Sequence, residues 1–192
     1  MSPPLTKILV AKRQLATAIE LFFAGGDSIS VYSLATNAWE IIDVLCRKVS
    51  VNSISIQARE SLPSEKDLKL DYINSPYRNF FKHAKSDSDQ ALSPLPNSQV
   101  EAVLFLAVED YIRLQQRSPV QLQVFQLWYL AKHPEKLATD VKDELTEGIR
   151  CVFPDLPSLS RDEQLAQGAL MLTQALQDFG LLNDPRTEAA FE

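Results

Sequence analysis

The stretch Leu5-Thr-Lys-Ile-Leu-Val-Ala-Lys-Arg-Gln-Leu-Ala-Thr-Ala-Ile-Glu-Leu-Phe-Phe-Ala24, followed by Gly25-Gly-Asp-Ser28, decides the fold class. Ile8, Leu15, Ile19 and Phe22 recur at helical spacing, and Leu9, Ala16 and Phe23 widen the stripe. The pattern predicts a helix over 5–24. Gly25-Gly26 stops it, because glycine takes a positive φ beyond a helix end without a Cβ clash. Asp27 or Ser28 then caps a second helix over 29–48, with Val31, Leu34, Ala38, Ile41, Ile42 and Leu45 on its inner side. A connection this short implies an antiparallel helical hairpin.

The same reading extends along the chain. Residues 49–63 alternate weakly at Val51-Asn-Ser-Ile-Ser-Ile56, which leaves a short extended piece open. A short helix fits 64–73, and Asn74 and Ser75 break it. Ser75 as N-cap and Pro76 at the first helical position start a helix over 76–84. A polar, proline-bearing loop covers 85–97. Ser98 with Glu101 reads as a capping box for a helix reaching Arg117. Ser118-Pro119 opens the next helix, which carries Leu122, Phe125 and Trp128 and ends at Pro134. Val141, Leu145, Ile149 and Cys151 to Phe153 mark another. Ser160 with Glu163 forms a second capping box, followed by Leu165, Leu172, Leu176 and Phe179, with Gly180 as the terminating glycine. Residues 183–192 read as a loose tail.

Composition agrees with this all-α reading. Only five of 192 residues are glycine, well below the usual share of about 7%. That is too few for a many-stranded protein or a glycine-rich phosphate loop. The expected architecture is a single all-α domain over 1–182, an antiparallel bundle core over 5–117 extended by C-terminal helices over 119–182. Net charge is −6. Residues 91–192 hold eight basic and fifteen acidic side chains, while 1–50 hold five against four. A protein that coats nucleic acid is normally basic, so any contact with RNA must be local. No apolar run is long enough for a membrane span, and no signal-peptide core opens the chain. Cys46 and Cys151 sit in apolar patterns and read as buried thiols of a cytoplasmic protein.

One cluster carries possible chemistry: Asn74-Ser-Pro-Tyr-Arg78-Asn79-Phe80-Phe81-Lys82-His83-Ala84. At about 100° per residue, Asn79 and His83 are neighbours on a helix, as are Arg78 and Lys82. Arg78 and His83 lie about 140° apart, so they converge only through the length of arginine or through a second subunit. The bland readings are a surface pair of Arg78 with Asp71 or Glu65, a histidine at a helix C-terminus, and Phe80 and Phe81 as core or interface residues. A metal on His83, Asp87 and Asp89 is disfavoured, since the chain has only two histidines. No metal and no cofactor are expected. His133, before Pro134, reads as a helix-end residue. Asp140, Asp143, Glu144 and Glu147 read as a solvated acidic face.

Arg-Asn-x-x-x-His at Arg78 to His83 resembles the Arg-x4–6-His motif of the HEPN superfamily, in which a polar residue often follows the arginine. Ala18 to Asp27, followed by Ala35-Thr-Asn-Ala-Trp-Glu40, resembles the opening hairpin of such domains. The resemblance implies a helical bundle that dimerises through its motif helices, and often a metal-independent ribonuclease of toxin, phage-defence or RNA-processing systems. Carried over, Arg78 binds the scissile phosphate, His83 moves a proton and Asn79 orients them. Lys82 is expected to help bind substrate. The chemistry is sound, since histidine titrates near neutrality and arginine clamps phosphate bidentately. Two alternatives stay open: a non-catalytic interaction or homodimerisation module, and a helical domain binding a small molecule or nucleotide. The nuclease reading needs Arg78 and His83 to meet in a cleft. It fails if His83 is buried against the core or Arg78 is locked to an internal carboxylate.

Overall fold

Two glycines make the first turn of the chain. In a computed structural model, which describes residues 4–83, 89–137 and 142–191, the first helix is α1, Lys7–Phe23, capped by the Thr6 side chain. Gly25 takes φ +67°. Its N–H donates to Phe22 O, and the Gly26 N–H donates to Leu21 O. This pair of bonds satisfies the last carbonyls of a helix closed by a left-handed residue. Of the two candidate caps for the next helix, Asp27 serves, accepting from the Ser30 N–H at 2.8 Å. Helix α2 then runs Ser28–Lys48 and packs back along α1.

Residues 49–63, where an extended piece was an open expectation, are helical instead: α3 spans Ile54–Ser61. The alternating serines mislead because each has a separate task. Ser53 caps α3, accepting from the Ile56 N–H at 3.2 Å. Ser55 is buried, accepts from the Trp39 indole at 2.8 Å and donates to the Asp110 carboxylate. Next comes a wide-wound segment, Leu68–Arg78, broken at Ser75 by extended dihedrals (φ −97°, ψ 137°). A residue before proline is pushed out of the helical region by the proline ring. Only Asn79–Lys82, α4, is ordinary α-helix, so the helix expected over 76–84 is split between two windings. Its last residue, Ala84, lies outside the described residues.

Helix α5 spans Asn97–Gln115 and α6 spans Val120–Lys132. The capping box expected of Ser98 and Glu101 does not form. Pro96 stands at the N-cap with no side-chain bond, and Glu101 turns into the core. Helix α7 is Lys142–Val152, α8 Arg161–Ala175 and α9 Phe179–Leu182. Ser160 and Glu163 do form their reciprocal box on α8. Gly180 does not terminate that helix. It lies within α9, where its N–H donates to the Asp178 carboxylate, and Phe179 is 81% exposed rather than core. Val141 and Asp140, and the side chains of Asp143, Glu144 and Leu145, lie outside what is described; Glu147 is exposed, as expected.

The protein is all-α, and the sole strand-like pairing among the described residues is a bridge between Ser118 and Thr187. Helix α2 lies at the centre, against α1 on one side and α5 on the other. Trp39 and Trp128 are fully buried, as their role as core anchors requires. Phe22, Phe23, Phe125 and Trp128 form one aromatic cluster, with Trp128 5.3 Å from Phe22 and 5.7 Å from Phe23. Helix α8 closes on this cluster through Gly168. A Cβ there would lie 2.1 Å from Cε1 of Phe23, so the contact requires glycine.

The tail read as loose is tied down through residue 190. The Ser118 N–H donates to Arg186 O at 2.9 Å, and the Lys12 ammonium donates to Ala189 O at 2.7 Å. Tyr111 donates to Glu188 at 2.6 Å, and Thr187 and Ala190 are buried. The two thiols differ, which corrects the shared reading. Cys46 is buried, and burial pushes it up to about 12, whereas Cys151 is exposed. No helix among the described residues is long and apolar enough to cross a membrane.

Candidate functional site

Tyr32 of α2 fixes the segment that carries Arg78. Its hydroxyl donates to Ile73 O at 2.9 Å and accepts from the Gln99 amide at 3.2 Å. Its ring meets Tyr77 and Phe81 edge-on, at 6.5 and 6.2 Å between centroids. Phe81 is half-buried in this packing, as a core or interface phenylalanine should be. These contacts lay Leu68–Arg78 across α2. Arg78 is thereby held against the face of α2 that carries Asn37 and Glu40.

Arg78 is only 6% exposed. Its Nη1 donates to Asn74 Oδ1 at 2.9 Å, and its Nη2 donates to Asn37 Oδ1 at 3.2 Å and to Glu40 Oε2. Three of the five guanidinium N–H groups are thus committed. Arg78 Nε is buried with no hydrogen-bond partner. The bland expectation of a surface pair with Asp71 or Glu65 is replaced by a part-buried pair with Glu40, 38 residues earlier. Asp71 instead faces Lys66 at 3.5 Å and accepts from the Asp67 N–H.

Glu40 is shared. Lys69 Nζ reaches its other oxygen at 2.5 Å. The Lys69 ammonium, with the Arg78 guanidinium beside it, holds the Glu40 carboxyl down at about 2. One carboxylate therefore serves two cations, and a third, Lys82, stands next to them. Partial burial lowers the Lys82 ammonium below its ordinary range, and the nearby positive charge of Arg78 lowers it further.

Arg78, Lys82, Asn37 and Glu40 line a cavity of about 460 Å³. The rest of its wall comes from Ile41, Val44 and Leu45 of α2 and from Lys7 and Gln14 of α1. Gln14 Oε1 is buried without a hydrogen-bond partner. Among the described residues, neither Lys7 nor Lys82 has an acidic side chain within ion-pair distance. A mostly apolar concavity with a few placed charges has the composition of a small-molecule pocket.

The structure divides the four sequence-predicted site residues. Arg78 and Lys82 share the cavity wall. Asn79 and His83 are exposed. The Asn79 N–H donates to Asn74 O, and its carbonyl accepts from the His83 N–H at 3.0 Å. His83 ends α4 with extended dihedrals (φ −130°, ψ 112°), the helix-end position of its bland reading. None of the Arg78 bonds runs to Asn79 or His83. Asn37, Glu40, Asn74, Gln14 and Lys7 were not singled out as site residues from the sequence. For two of them a signal existed, since Asn37 and Glu40 belong to the Asn-Ala-Trp-Glu stretch of the hairpin resemblance.

Among the described residues no group of three or more His, Cys, Asp or Glu side chains is placed to hold a metal ion. Asp87, named with His83 and Asp89 in the metal reading, lies outside the described residues. His133 ends α6, as expected, with its ring 4.5 Å from that of Tyr129. No family model, no characterised protein and no solved structure matches the chain.

Proposed function

We propose that this protein is a HEPN-like helical domain that binds a small anionic molecule or nucleotide in the cavity beside Arg78. One observation carries the reading: a buried arginine, held from α2, stands in a cavity of about 460 Å³ together with two lysines that have no acidic side chain within ion-pair distance among the described residues. The pairing of Arg78 with Glu40 and Asn37 supports the HEPN-like resemblance, since it joins the two stretches of sequence on which that resemblance rests. The proposal includes an up-and-down bundle core and a cytosolic homodimer formed through the Arg78-bearing segment.

A metal-independent ribonuclease is the second reading. Its support is the exposure of Asn79 and His83 beside Lys82, which leaves both open to a substrate. It requires Arg78 to leave Glu40, because a guanidinium with three donors engaged is not a free phosphate clamp.

The test combines titration calorimetry with AMP and incubation with RNA in the presence of chelator. Wild type is compared with Arg78→Ala, Lys82→Ala and His83→Ala. The binding reading expects AMP to bind wild type and His83→Ala alike, more weakly to Lys82→Ala, and with no RNA cleaved. Lys82 and His83 are exposed, so those two variants remain informative even where Arg78→Ala fails to fold. Cleavage by wild type that is lost in both Arg78→Ala and His83→Ala establishes the nuclease instead. Sedimentation velocity decides the homodimer.

A further inference from the structure

The cavity beside Arg78 has a direction. Helix α1 returns along α2, so Gln14 shares the cavity with Asn37, near the Arg78 end, while Lys7 shares it with Val44 and Leu45. Between Asn37 and Leu45, α2 rises about 12 Å at 1.5 Å per residue. The wall therefore runs from a polar end with Arg78 and Lys82 along an aliphatic stretch, with the exposed Lys7 at its far edge.

The charge at the polar end is uneven. Lys69 and Arg78 both bind Glu40, and Lys82 has no acidic side chain within ion-pair distance among the described residues. Lys82 stands four residues after Arg78, and positive charge from Arg78 and Lys69 presses on its ammonium. An anion placed beside Lys82 relieves that repulsion. The Glu40 carboxylate acts the other way on Lys82, more strongly than Lys69 adds to the repulsion, but it is already bonded to two cations. The Arg78 fork is occupied as well, so a dianionic phosphate finds no second bidentate clamp here. At this end of the cavity a monoanion suits the one ammonium, that of Lys82, with no acidic partner among the described residues.

The remaining wall is aliphatic. Ile41, Val44 and Leu45 supply it, and among the described residues no aromatic ring lines the cavity. A nucleobase is ordinarily held by stacking on an aromatic or a guanidinium plane, and the guanidinium in this wall, Arg78, is only 6% exposed and bonded to Asn74, Asn37 and Glu40. An alkyl chain needs only apolar surface. Val44 is 50% exposed, so such a chain would cover apolar surface that now faces water.

We infer that this cavity takes an aliphatic carboxylate, with its head beside Lys82 and its chain along Ile41, Val44 and Leu45. The inference rests on the binding reading above and narrows its ligand class from anions in general to fatty monoanions.

The test is titration calorimetry of the full chain with decanoate below its micelle concentration, and with AMP and 1-decanol as comparison ligands. Lys82→Ala and Val44→Asp alter exposed positions, and circular dichroism verifies that both keep the fold. The expected result is saturable binding of decanoate, with AMP binding more weakly and 1-decanol much more weakly. Loss of one charge-assisted contact in Lys82→Ala weakens decanoate roughly tenfold, and Val44→Asp abolishes its binding. Binding of AMP without decanoate overturns this inference and leaves the binding reading standing. Failure of all three ligands removes both. Decanoate binding that both variants leave unchanged places the ligand elsewhere and overturns the inference.

Discussion

Two arginine–carboxylate centres in this protein use the same chemistry to opposite ends. In the C-terminal half, Glu101 of α5 is 2% exposed and meets Lys132 of α6 at 2.9 Å and Arg161 of α8. The Arg161 guanidinium lies 4.9 Å from the Phe22 ring and also faces Trp128. His133 adds a further approach at 3.8 Å. At the other centre the burial is reversed. Arg78 is buried, but the Glu40 side chain is 34% exposed, a cavity opens beside the pair, and an Nε atom has no partner. The first centre is a closed joint between three helices. The second keeps polar capacity unused, which a ligand site requires and a joint does not.

The largest expected effect separates the two directly. Glu101→Gln leaves Lys132 and Arg161 without their shared carboxylate, and breaking a buried pair this way costs about 3–5 kcal/mol. Urea denaturation measures it. A loss near that of a surface pair would mean that the joint is not closed.

Gly168→Ala probes the same closed region through packing. The new methyl must displace the Phe23 ring, 3% exposed and part of the aromatic cluster, at a cost of roughly 1–3 kcal/mol. A second helical glycine, Gly148 of α7, gives the contrast. A Cβ at Gly148 meets nothing within 4 Å, so Gly148→Ala should stabilise the protein by up to ~1 kcal/mol through helix propensity alone. Thermal melts of the two variants should move in opposite directions.

Glu40→Gln is the counterpart substitution at the open centre. Its partly exposed pair is screened by water, so the expected loss is about 1 kcal/mol or less, well below that of Glu101→Gln. A loss equal to that of Glu101→Gln would make the Arg78 centre a second joint rather than a site.

The smallest effect is in the acid dependence. The Glu40 carboxyl is held at about 2, below its ordinary 4.5. A carboxyl lowered by folding stabilises fully above its unfolded value and loses that contribution as pH falls toward the folded one. Buried Asp110 runs the other way. Burial raises its carboxyl, so its cost to the fold diminishes as acid protonates it. Wild type should therefore lose more stability than Glu40→Gln between pH 4.5 and 2, as measured by urea midpoints across that window.

How legible each centre was in the sequence follows from the distance over which its partners act. The turn at Gly25-Gly26, the cap at Asp27 and the box of Ser160 with Glu163 are local, with partners within five residues, and their residue types name their roles. The box of Ser98 with Glu101 has the same local pattern and does not form, because Lys132 and Arg161, 31 and 60 residues away, hold the Glu101 carboxylate. Ser53 and Ser55 looked like strand alternation until a cap and a contact with Asp110 explained them. Arg78 and Lys82 were named from their spacing together with the resemblance of the segment that carries them. Their cavity and the role of Glu40 were not, since both depend on how the Leu68–Arg78 segment lies over α2.

By itself, then, the sequence determined most of the long helices, the caps at Asp27 and Ser160, the aromatic and tryptophan core and the basic, histidine-bearing cluster at 78–83. Those properties depend on periodicity, glycine placement and burial of apolar side chains, which act over a few residues. Only the tertiary structure decided which carboxylate Arg78 binds, that Asn79 and His83 face outward while Arg78 and Lys82 share a cavity, and that the tail is bonded to Lys12, Tyr111 and Ser118. Those are pairings between residues far apart in the chain. They are chosen when whole helices pack and each buried charge or polar group must find a partner.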